Sequence, residues 1–209
     1  MLVQTLRVLL CRGLHDVDEV ELLRLFADHR NAAFSIHNIT NESSKQGSSA
    51  GIWLGPTQMS HVLKALYKRA LSQTEFTSFR LPDLTIHVAM DGSIYRNNVR
   101  KGSMNSGGWK PVLILIPLRL GVEKMNIEYA QSLCMLFELE QCVGIIGGKS
   151  RSAYYFFGCT GNKLLYLDPH VIQPALCINE PNVESCHCDY QSSISPLEID
   201  PSLAIGFLC

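Results

Sequence analysis

The sequence predicts an α+β domain in which helices come first and a mostly antiparallel sheet follows. Apolar residues recur at helical spacing in the first part of the chain and again over residues 127–137. From residue 142 onward the pattern changes to period two with short turns, which is typical of strands joined by hairpins. With 209 residues, 46% of them apolar and 18% charged, residues 1–209 are predicted to form one domain with a buried core.

The helices are predicted from capping signals and apolar spacing. Gln4, Thr5 and Arg7 interrupt the opening apolar run, so this run is interpreted as a core helix and not as a signal peptide. Asp16 and Glu19 have the spacing of a capping box at the start of a second helix. The residues that share one face of each later helix are Val20, Leu23, Phe26 and Ala27; Met59, Val62, Leu63 and Leu66, after Gly55 and Pro56; and Ile127, Ala130, Cys134 and Phe137.

The strands are predicted where apolar runs lie between turn residues. Residues 84–90 form the first, and the continuous apolar run 112–118 (VLILIPL) is typical of a strand covered on both faces. Four more strands are predicted at residues 142–148, 153–159, 163–168 and 202–208. The polar residues 38–51 and the glycine- and serine-rich residues 101–108 are predicted to be loops.

Charge and composition exclude several classes of protein. The net charge is −1 and there is no basic stripe, which argues against nucleic acid or an anionic membrane as the main partner. The longest apolar runs are far shorter than the roughly 20 residues of a spanning helix, so no transmembrane segment is predicted. The eight cysteines are scattered through apolar segments of a chain too large to need disulfides, which predicts a reduced, cytoplasmic protein. Cys177, Cys186 and Cys188, with His187, lie in a predicted loop but lack the paired spacing of a structural zinc site. They are therefore interpreted as free loop thiols, and no metal site is predicted.

The sequence Asp168-Pro169-His170 places a carboxylate beside an imidazole near the end of a predicted strand. If the strand runs through residues 164–170, alternation puts Asp168 and His170 on the same face. A carboxylate holds an imidazole in one orientation, and such a histidine can activate a cysteine or a serine. Most such pairs in proteins are polar strand ends or turn residues, so the spacing alone does not establish catalysis.

Seven blocks of sequence carry a resemblance to a known family. They are FSIHNI (34–39), GIWLGPTQMSHVLKAL (51–66), IHVAMD (86–91), ILIPLRLGVEKMN (114–126), VGIIGGKSRSAYYFFG (143–158), LLYLDPHVIQPA (164–175) and DPSLAIGFLC (200–209). With these blocks, in the family's order, the chain resembles the autophagins, the cysteine proteases that process the ubiquitin-like modifiers of autophagy. The resemblance implies a papain-like fold with a small additional α/β subdomain, no cofactor and a cytoplasmic location. The implied partners are a modifier of the GABARAP class and its lipid-conjugated form.

The resemblance also implies roles for individual residues. Asp168 resembles the orienting acid of the family's catalytic set, and His170 resembles its general base. Trp53 resembles the tryptophan that lies over the active site and gates entry of the substrate tail, and Arg119 resembles an arginine that engages the modifier. Without the family, a core tryptophan and a solvated arginine are the alternatives. A regulatory loop of the family corresponds to Lys149, Ser150, Arg151 and Ser152, with Ser150 where the family usually has proline.

The nucleophile of the family lies in a G-W-G-C motif at the start of the helix that residues 4–14 (QTLRVLLCRGL) resemble. A helix N-terminus lowers the pKa of a thiol, which suits an attacking cysteine. The catalytic cysteine is therefore expected upstream of Met1, and Cys11 lies about three helical turns too late to replace it.

The expected protein is a cysteine endopeptidase of autophagy, incomplete at its N-terminus, that cleaves a modifier after its C-terminal glycine and removes the lipid from the conjugated form. The 209-residue chain is expected to be inactive alone. The alternatives are a non-catalytic fragment or isoform that binds the modifier, and a fragment that does not fold stably.

Overall fold

The computed structural model of the chain describes residues 1–6, 19–72, 81–105, 107–188 and 190–209. Its architecture is α+β, as predicted, with one seven-stranded sheet and a separate two-stranded hairpin. Residues 2–6 are helical and are called α1. The other helices are α2 (Glu19–Arg24), α3 (Ile36–Lys45), α4 (Pro56–Ser72), α5 (Arg96–Ser103) and α6 (Ile127–Met135). The strands are β1 (Thr85–Val88), β2 (Met104–Asn105), β3 (Gly108–Trp109), β4 (Val112–Arg119), β5 (Cys142–Lys149), β6 (Ser152–Thr160), β7 (Lys163–Leu167), β8 (Ser192–Ile194) and β9 (Ser202–Leu208).

The large sheet has the strand order β1-β4-β9-β5-β6-β7-β8. All of its neighbouring strands are antiparallel except β1 and β4, which are parallel. The predicted hairpins β5–β6 and β6–β7 are confirmed, and β9 lies between β4 and β5. Because β1, β4, β5 and β7 run in the same direction, their carboxyl ends meet at one edge of the sheet.

Strand β4 is covered on both faces, as its continuous apolar run predicted. Leu113 and Leu115 belong to a cluster with buried residues of α2 and α4. Val112, Ile114 and Ile116 point to the other face, where they pack with Val99 of α5 and Ala89. A third cluster brings Leu133 of α6 against buried residues of β5, β6 and β9. The sheet therefore lies between two layers of helices.

Helix α4 is confirmed where the spacing after Gly55 and Pro56 predicted it. Proline at its first position costs no hydrogen bond, because the first amides of a helix have no intrahelical partner. Its buried face is formed by Val62, Leu63, Leu66 and Tyr67. The Tyr67 hydroxyl donates to the carbonyl of Pro82 at 2.8 Å, and burial, with the nearby Asp83 charge, raises the pKa of Tyr67 above its ordinary range.

The prediction of a loop over residues 38–51 is wrong for most of that stretch, because α3 occupies residues 36–45. Ser35 caps this helix: its Oγ accepts a hydrogen bond from the Asn38 amide at 3.3 Å. Arg69 of α4 donates to Asn38 Oδ1 at 3.0 Å and to Glu42 Oε2 at 3.4 Å. Since polar contacts anchor α3 to its neighbour, the helix leaves no apolar periodicity in the sequence.

Three other boundaries differ from the predictions. Residues 101–108 are not one loop: they contain the end of α5 and the hairpin β2–β3. Helix α2 ends at Arg24, so Phe26 and Ala27 lie beyond it. Helix α6 ends at Met135, so Phe137 lies beyond it. Its first residue, Ile127, is 74% exposed and does not lie in the interior.

One short strand was not predicted, and two predicted helix features lie outside the described residues. The short strand β8 was not predicted, since three residues give too little alternation to detect. Asp16 and the predicted opening helix beyond residue 6 lie outside the described residues.

The expectation of a wholly reduced chain is contradicted at one pair of cysteines. Cys134, in α6, forms a disulfide with Cys159, in β6, with their Cα atoms 5.4 Å apart. The remaining described cysteines, namely Cys142, Cys177, Cys186, Cys188 and Cys209, are free. No helix in the described parts of the chain combines the length and the hydrophobicity needed to cross a bilayer.

Candidate active site

The Asp168–His170 pair lies just past the carboxyl end of β7, and a turn brings the two side chains together. Strand β7 ends at Leu167, so the predicted alternation over residues 164–170 is wrong. Instead, Asp168 Oδ1 accepts a hydrogen bond from the His170 backbone N–H at 2.9 Å and lies 2.6 Å from His170 Nδ1. A carboxylate that bonds the backbone two residues on is a common turn of aspartate. Pro169 has no N–H for a sheet ladder, which accounts for the end of the strand.

This geometry fixes the chemical state of the pair. The backbone N–H of His170 has the largest effect and lowers the pKa of the Asp168 carboxyl. Burial opposes this shift, and the side-chain contact and charge of His170 lower the pKa further. An ionised carboxylate is only an acceptor, so His170 Nδ1 carries the donated proton. The imidazole Nε2 is then the nitrogen left to accept a proton from a nucleophile.

An aromatic stack supports the imidazole from the core side. The Tyr154 ring meets the His170 ring edge-on, with centroids 6.3 Å apart and planes at 87°. Tyr154 also packs on Tyr166, with centroids 4.4 Å apart, and on the buried Phe156. Sequence reasoning missed Tyr154 as a site residue. The signal was present in the alternation of β6, where Tyr154 is two residues from the core residue Phe156.

A cavity of about 630 Å³ opens beside Asp168. Met1, at the start of α1, lines the same cavity. The front of the opening helix and the acid of the pair therefore face one space.

Two cysteines that the sequence analysis interpreted as loop thiols also line this cavity. Cys186 and Cys188 are exposed in the segment that precedes β8. The thiol of Cys188 donates to the carbonyl of Tyr190 at 3.0 Å. His187, between them, points to Glu19 at 3.7 Å. Within the described ranges, no three histidine, cysteine or acidic side chains are grouped so as to hold a metal ion.

Trp53 lies outside the core. Its side chain is 53% exposed in the segment before α4, so the alternative of a core tryptophan is excluded. Its ring lies over the backbone of Gly55, where an added Cβ would meet ring atom Cζ3 at 3.5 Å. No described hydrogen bond or ring contact joins Trp53 to the Asp168–His170 pair.

The predicted regulatory loop is the turn of the β5–β6 hairpin. Lys149 and Ser152 pair across the two strands, so the loop itself consists of Ser150 and Arg151. Arg151 has a φ of 66°, in the left-handed region. In a turn whose third residue has positive φ, proline is common at the second position, which Ser150 occupies.

Arg119 ends β4 and is held by two hydrogen bonds. One guanidinium nitrogen donates to Ser202 Oγ at 3.1 Å and the other to the carbonyl of Val122. Arg119 is nevertheless exposed, so the alternative of a solvated arginine remains open beside the role that the resemblance implies. Arg119, the loop at residues 149–152 and Asp168 all lie at the same edge of the sheet. Two strand spacings, or roughly 10 Å, separate each of their strands from the next.

Comparison with known proteins gives a family. The peptidase C54 catalytic domain matches residues 11–209. Among curated relatives, "Cysteine protease atg4da" from Danio rerio is 36% identical over 189 residues, which cover 89% of this chain and 37% of that protein. "Cysteine protease ATG4C" from Xenopus laevis is 37% identical over 191 residues, with coverages of 90% and 41%. "Cysteine protease ATG4B" from Gallus gallus is 33% identical over 226 residues, with coverages of 90% and 54%.

The chain spans between 37% and 54% of the length of these three relatives. The family match nevertheless extends over all but the first ten residues of the chain. It agrees with the helix-flanked mixed sheet and with the Asp168–His170 pair at its edge. The fold is thus papain-like, and the chain belongs to the peptidase C54 family of cysteine peptidases.

Proposed function

We propose that this chain is the partial catalytic domain of a cytoplasmic cysteine endopeptidase of autophagy. Its substrate is a ubiquitin-like modifier of the GABARAP class, cleaved after a C-terminal glycine, and the same hydrolysis releases the modifier from a lipid amine. The observation that carries the proposal is the contact of 2.6 Å between Asp168 and His170, in a family of cysteine peptidases. The names of the relatives, which are ATG4 cysteine proteases, support the assignment to autophagy.

In this proposal the pair moves a proton. Asp168 holds His170 through Nδ1, and Nε2 takes the proton from a cysteine thiol as the thiolate attacks the glycine carbonyl. The same nitrogen returns the proton to the leaving amine when the peptide or lipid amide bond breaks. Water then hydrolyses the thioester to give the free glycine carboxylate and the thiol.

The nucleophile is proposed to lie N-terminal to residue 1, in a segment of the G-W-G-C type. Two observations support this. None of the described cysteines hydrogen-bonds to His170, and the start of α1 shares the cavity with Asp168. A thiol placed at the front of this helix would gain from the positive end of the helix dipole.

The binding residues are proposed to act on the modifier tail and body. The exposed Trp53 covers the tail, for which a glycine offers no side chain to obstruct passage. Residues 149–152 (Lys149, Ser150, Arg151 and Ser152) close the groove. Arg119, fixed by Ser202 and the Val122 carbonyl, contacts the body of the modifier.

The test uses the chain extended upstream through a G-W-G-C segment, with a modifier precursor that carries residues after its glycine. The extended chain is expected to cut the precursor. His170→Ala and Asp168→Asn are expected to lower kcat by a thousandfold or more, because the members of such a set act as a unit. His187→Ala is the matched control, since this imidazole lines the same cavity but is paired with Glu19. An extended chain that leaves the precursor uncut would reject the proposal.

A second arm identifies the nucleophile. A modifier with an electrophile in place of its C-terminal carboxylate is expected to form a covalent adduct with the extended chain and none with the 209-residue chain. An adduct on the shorter chain that disappears in Cys186→Ser or Cys188→Ser would assign the nucleophile to this segment instead.

The alternative of a non-catalytic modifier-binding fragment is favoured by one observation. Val122, whose carbonyl accepts a hydrogen bond from Arg119, is 80% exposed, and Ile127 in the segment that follows is 74% exposed. Exposed apolar side chains near a cation suit protein binding. Titration of the modifier into the 209-residue chain is expected to give saturable heat that Arg119→Ala weakens. Absence of saturable binding would reject this alternative.

A further inference from the structure

The segment that leads from β1 to β4 exposes an unusual number of large apolar side chains. Five of them, between 46% and 63% exposed, fall within residues 90–109: Met90, Ile94, Tyr95, Met104 and Trp109. Single exposed apolar residues need no explanation, but a group of this size on one segment does. We call these five residues, together with the cations Arg96, Arg100 and Lys101 of α5, the edge patch.

The fold holds the edge patch on the outside of the molecule. Helix α5 turns Val99 and Ser103 inward, against the face of the sheet that carries Ile114. The hydroxyl of Thr85 donates to the carbonyl of Gly102 at 3.0 Å, which ties the end of α5 to the start of β1. Tyr95 therefore lies at one end of the helix and Met104 at the other, roughly 14 Å away.

The two residues of the hairpin complete the apolar part of the patch. Met104 and Trp109 are direct partners across β2 and β3, so their Cα atoms lie opposite each other. They are 53% and 52% exposed. The patch thus has apolar groups at both ends of α5.

The patch is also positively charged. Arg96, Arg100 and Lys101 are exposed on α5, and among the described residues none of the three forms an ion pair. Asp91 is the one acid in residues 90–110, whereas the whole chain has a net charge of −1. Within residues 90–110 the cations therefore outnumber the acids, and the nearby Asp83 is paired with Lys110 at 2.9 Å.

We propose that the edge patch docks this protein onto an anionic phospholipid surface. Tryptophan and tyrosine favour the interfacial region of a bilayer, where the ring is buried and its polar atom stays hydrated. Each lysine or arginine near an anionic membrane adds about 1 kcal/mol of attraction. Helices that lie on membranes combine the same two features, basic residues and large apolar side chains.

The chemistry of the patch favours lipid over an acidic peptide. A peptide gains affinity and specificity from pockets for its side chains, and the cavities beside Asp168 and Cys186 are lined by residues outside the patch. A bilayer needs no pocket and accepts protruding methionine, isoleucine and tryptophan. The proposal does not rest on the proposed peptidase function, and its test measures lipid binding alone.

The test is flotation of the full chain with vesicles of phosphatidylcholine alone or with 30% phosphatidylserine, at low and high salt. The protein is expected to float with anionic vesicles at low salt and to stay behind with neutral ones. The triple variant Arg96→Ala, Arg100→Ala, Lys101→Ala is expected to bind about a hundredfold more weakly. The matched triple Lys64→Ala, Lys68→Ala, Lys163→Ala, which removes three exposed cations elsewhere, is expected to bind like the parent chain. Equal weakening by both triples would overturn the proposal.

Fluorescence gives a second readout that misfolding would not imitate. The chain has two tryptophans, Trp53 and Trp109, so Trp53→Phe leaves Trp109 as the single reporter. Its emission is expected to shift to shorter wavelength with anionic vesicles, while that of Trp53 in Trp109→Phe is expected to stay unchanged. If a polyglutamate peptide displaces the vesicles, and the vesicles themselves do not shift the Trp109 emission, the proposal is overturned in favour of an acidic protein partner.

Discussion

A turn residue decides the geometry of the candidate site. The sequence contains the carboxylate, the imidazole and the proline between them, and these residue types alone indicate a base held by an acid. Alternation along a strand predicted that Asp168 and His170 lie side by side, but the cause is a turn. Strand β7 ends at Leu167, and the Asp168 carboxylate accepts a hydrogen bond from the His170 amide two residues ahead. The exact end of a strand depends on which ladder hydrogen bonds survive in three dimensions, and periodicity does not contain that information.

The Asp168 contact predicts a response to acid. Because the His170 backbone N–H lowers the pKa of the Asp168 carboxyl, the carboxylate is expected to stay ionised below its ordinary pKa of 3.8. A depressed pKa contributes stability above the ordinary value, and this contribution is lost as the pH falls through the lowered one. The measurement is the carboxyl ¹³C shift of Asp168 between pH 2 and pH 6. A midpoint at or above the ordinary value would contradict the observed turn.

Helix α3 shows why polar helices escape detection from sequence. Its outward face is solvated, and its inward side packs one apolar residue, Ile39, beside hydrogen bonds from Arg69, so a recurring apolar spacing is absent. Helix α4, by contrast, buries four large side chains at helical spacing and was predicted correctly. Periodicity therefore finds elements that pack by apolar contact and misses those that pack by polar contact.

The cap of α3 gives a prediction at this scale. Ser35→Ala removes the buried acceptor of the Asn38 amide and is expected to lower the free energy of unfolding by about 1 kcal/mol. Urea denaturation measures the change. Ser44→Ala is the control, because this hydroxyl is exposed and donates within its own helix; its effect is expected to stay within about 0.5 kcal/mol. Equal losses in the two variants would show that Ser35 does not act as a cap.

The disulfide gives a second prediction for the elements it joins. It links α6 to β6, the strand before β7 and Asp168, and closes a loop of 25 residues. Under oxidising conditions, replacing both Cys134 and Cys159 with serine is expected to lower the free energy of unfolding by about 3 kcal/mol. Denaturation with and without dithiothreitol provides the measurement. The parent chain is expected to lose stability in the reductant, whereas the double variant is expected to be insensitive to it. A reductant effect of the same size in both proteins would assign it to other cysteines.

At the scale of the whole molecule, the net charge does not show where the charged residues lie. The net charge of −1 argued against an anionic partner, yet residues 90–109 carry five exposed apolar side chains and three cations that form no ion pair within the described part of the chain. The pattern of helices followed by strands was enough for the α+β class. The order of the strands was not predictable in the same way, because β9 enters between β4 and β5 from the far end of the chain. Long-range pairing of this kind leaves no mark in a local window of sequence.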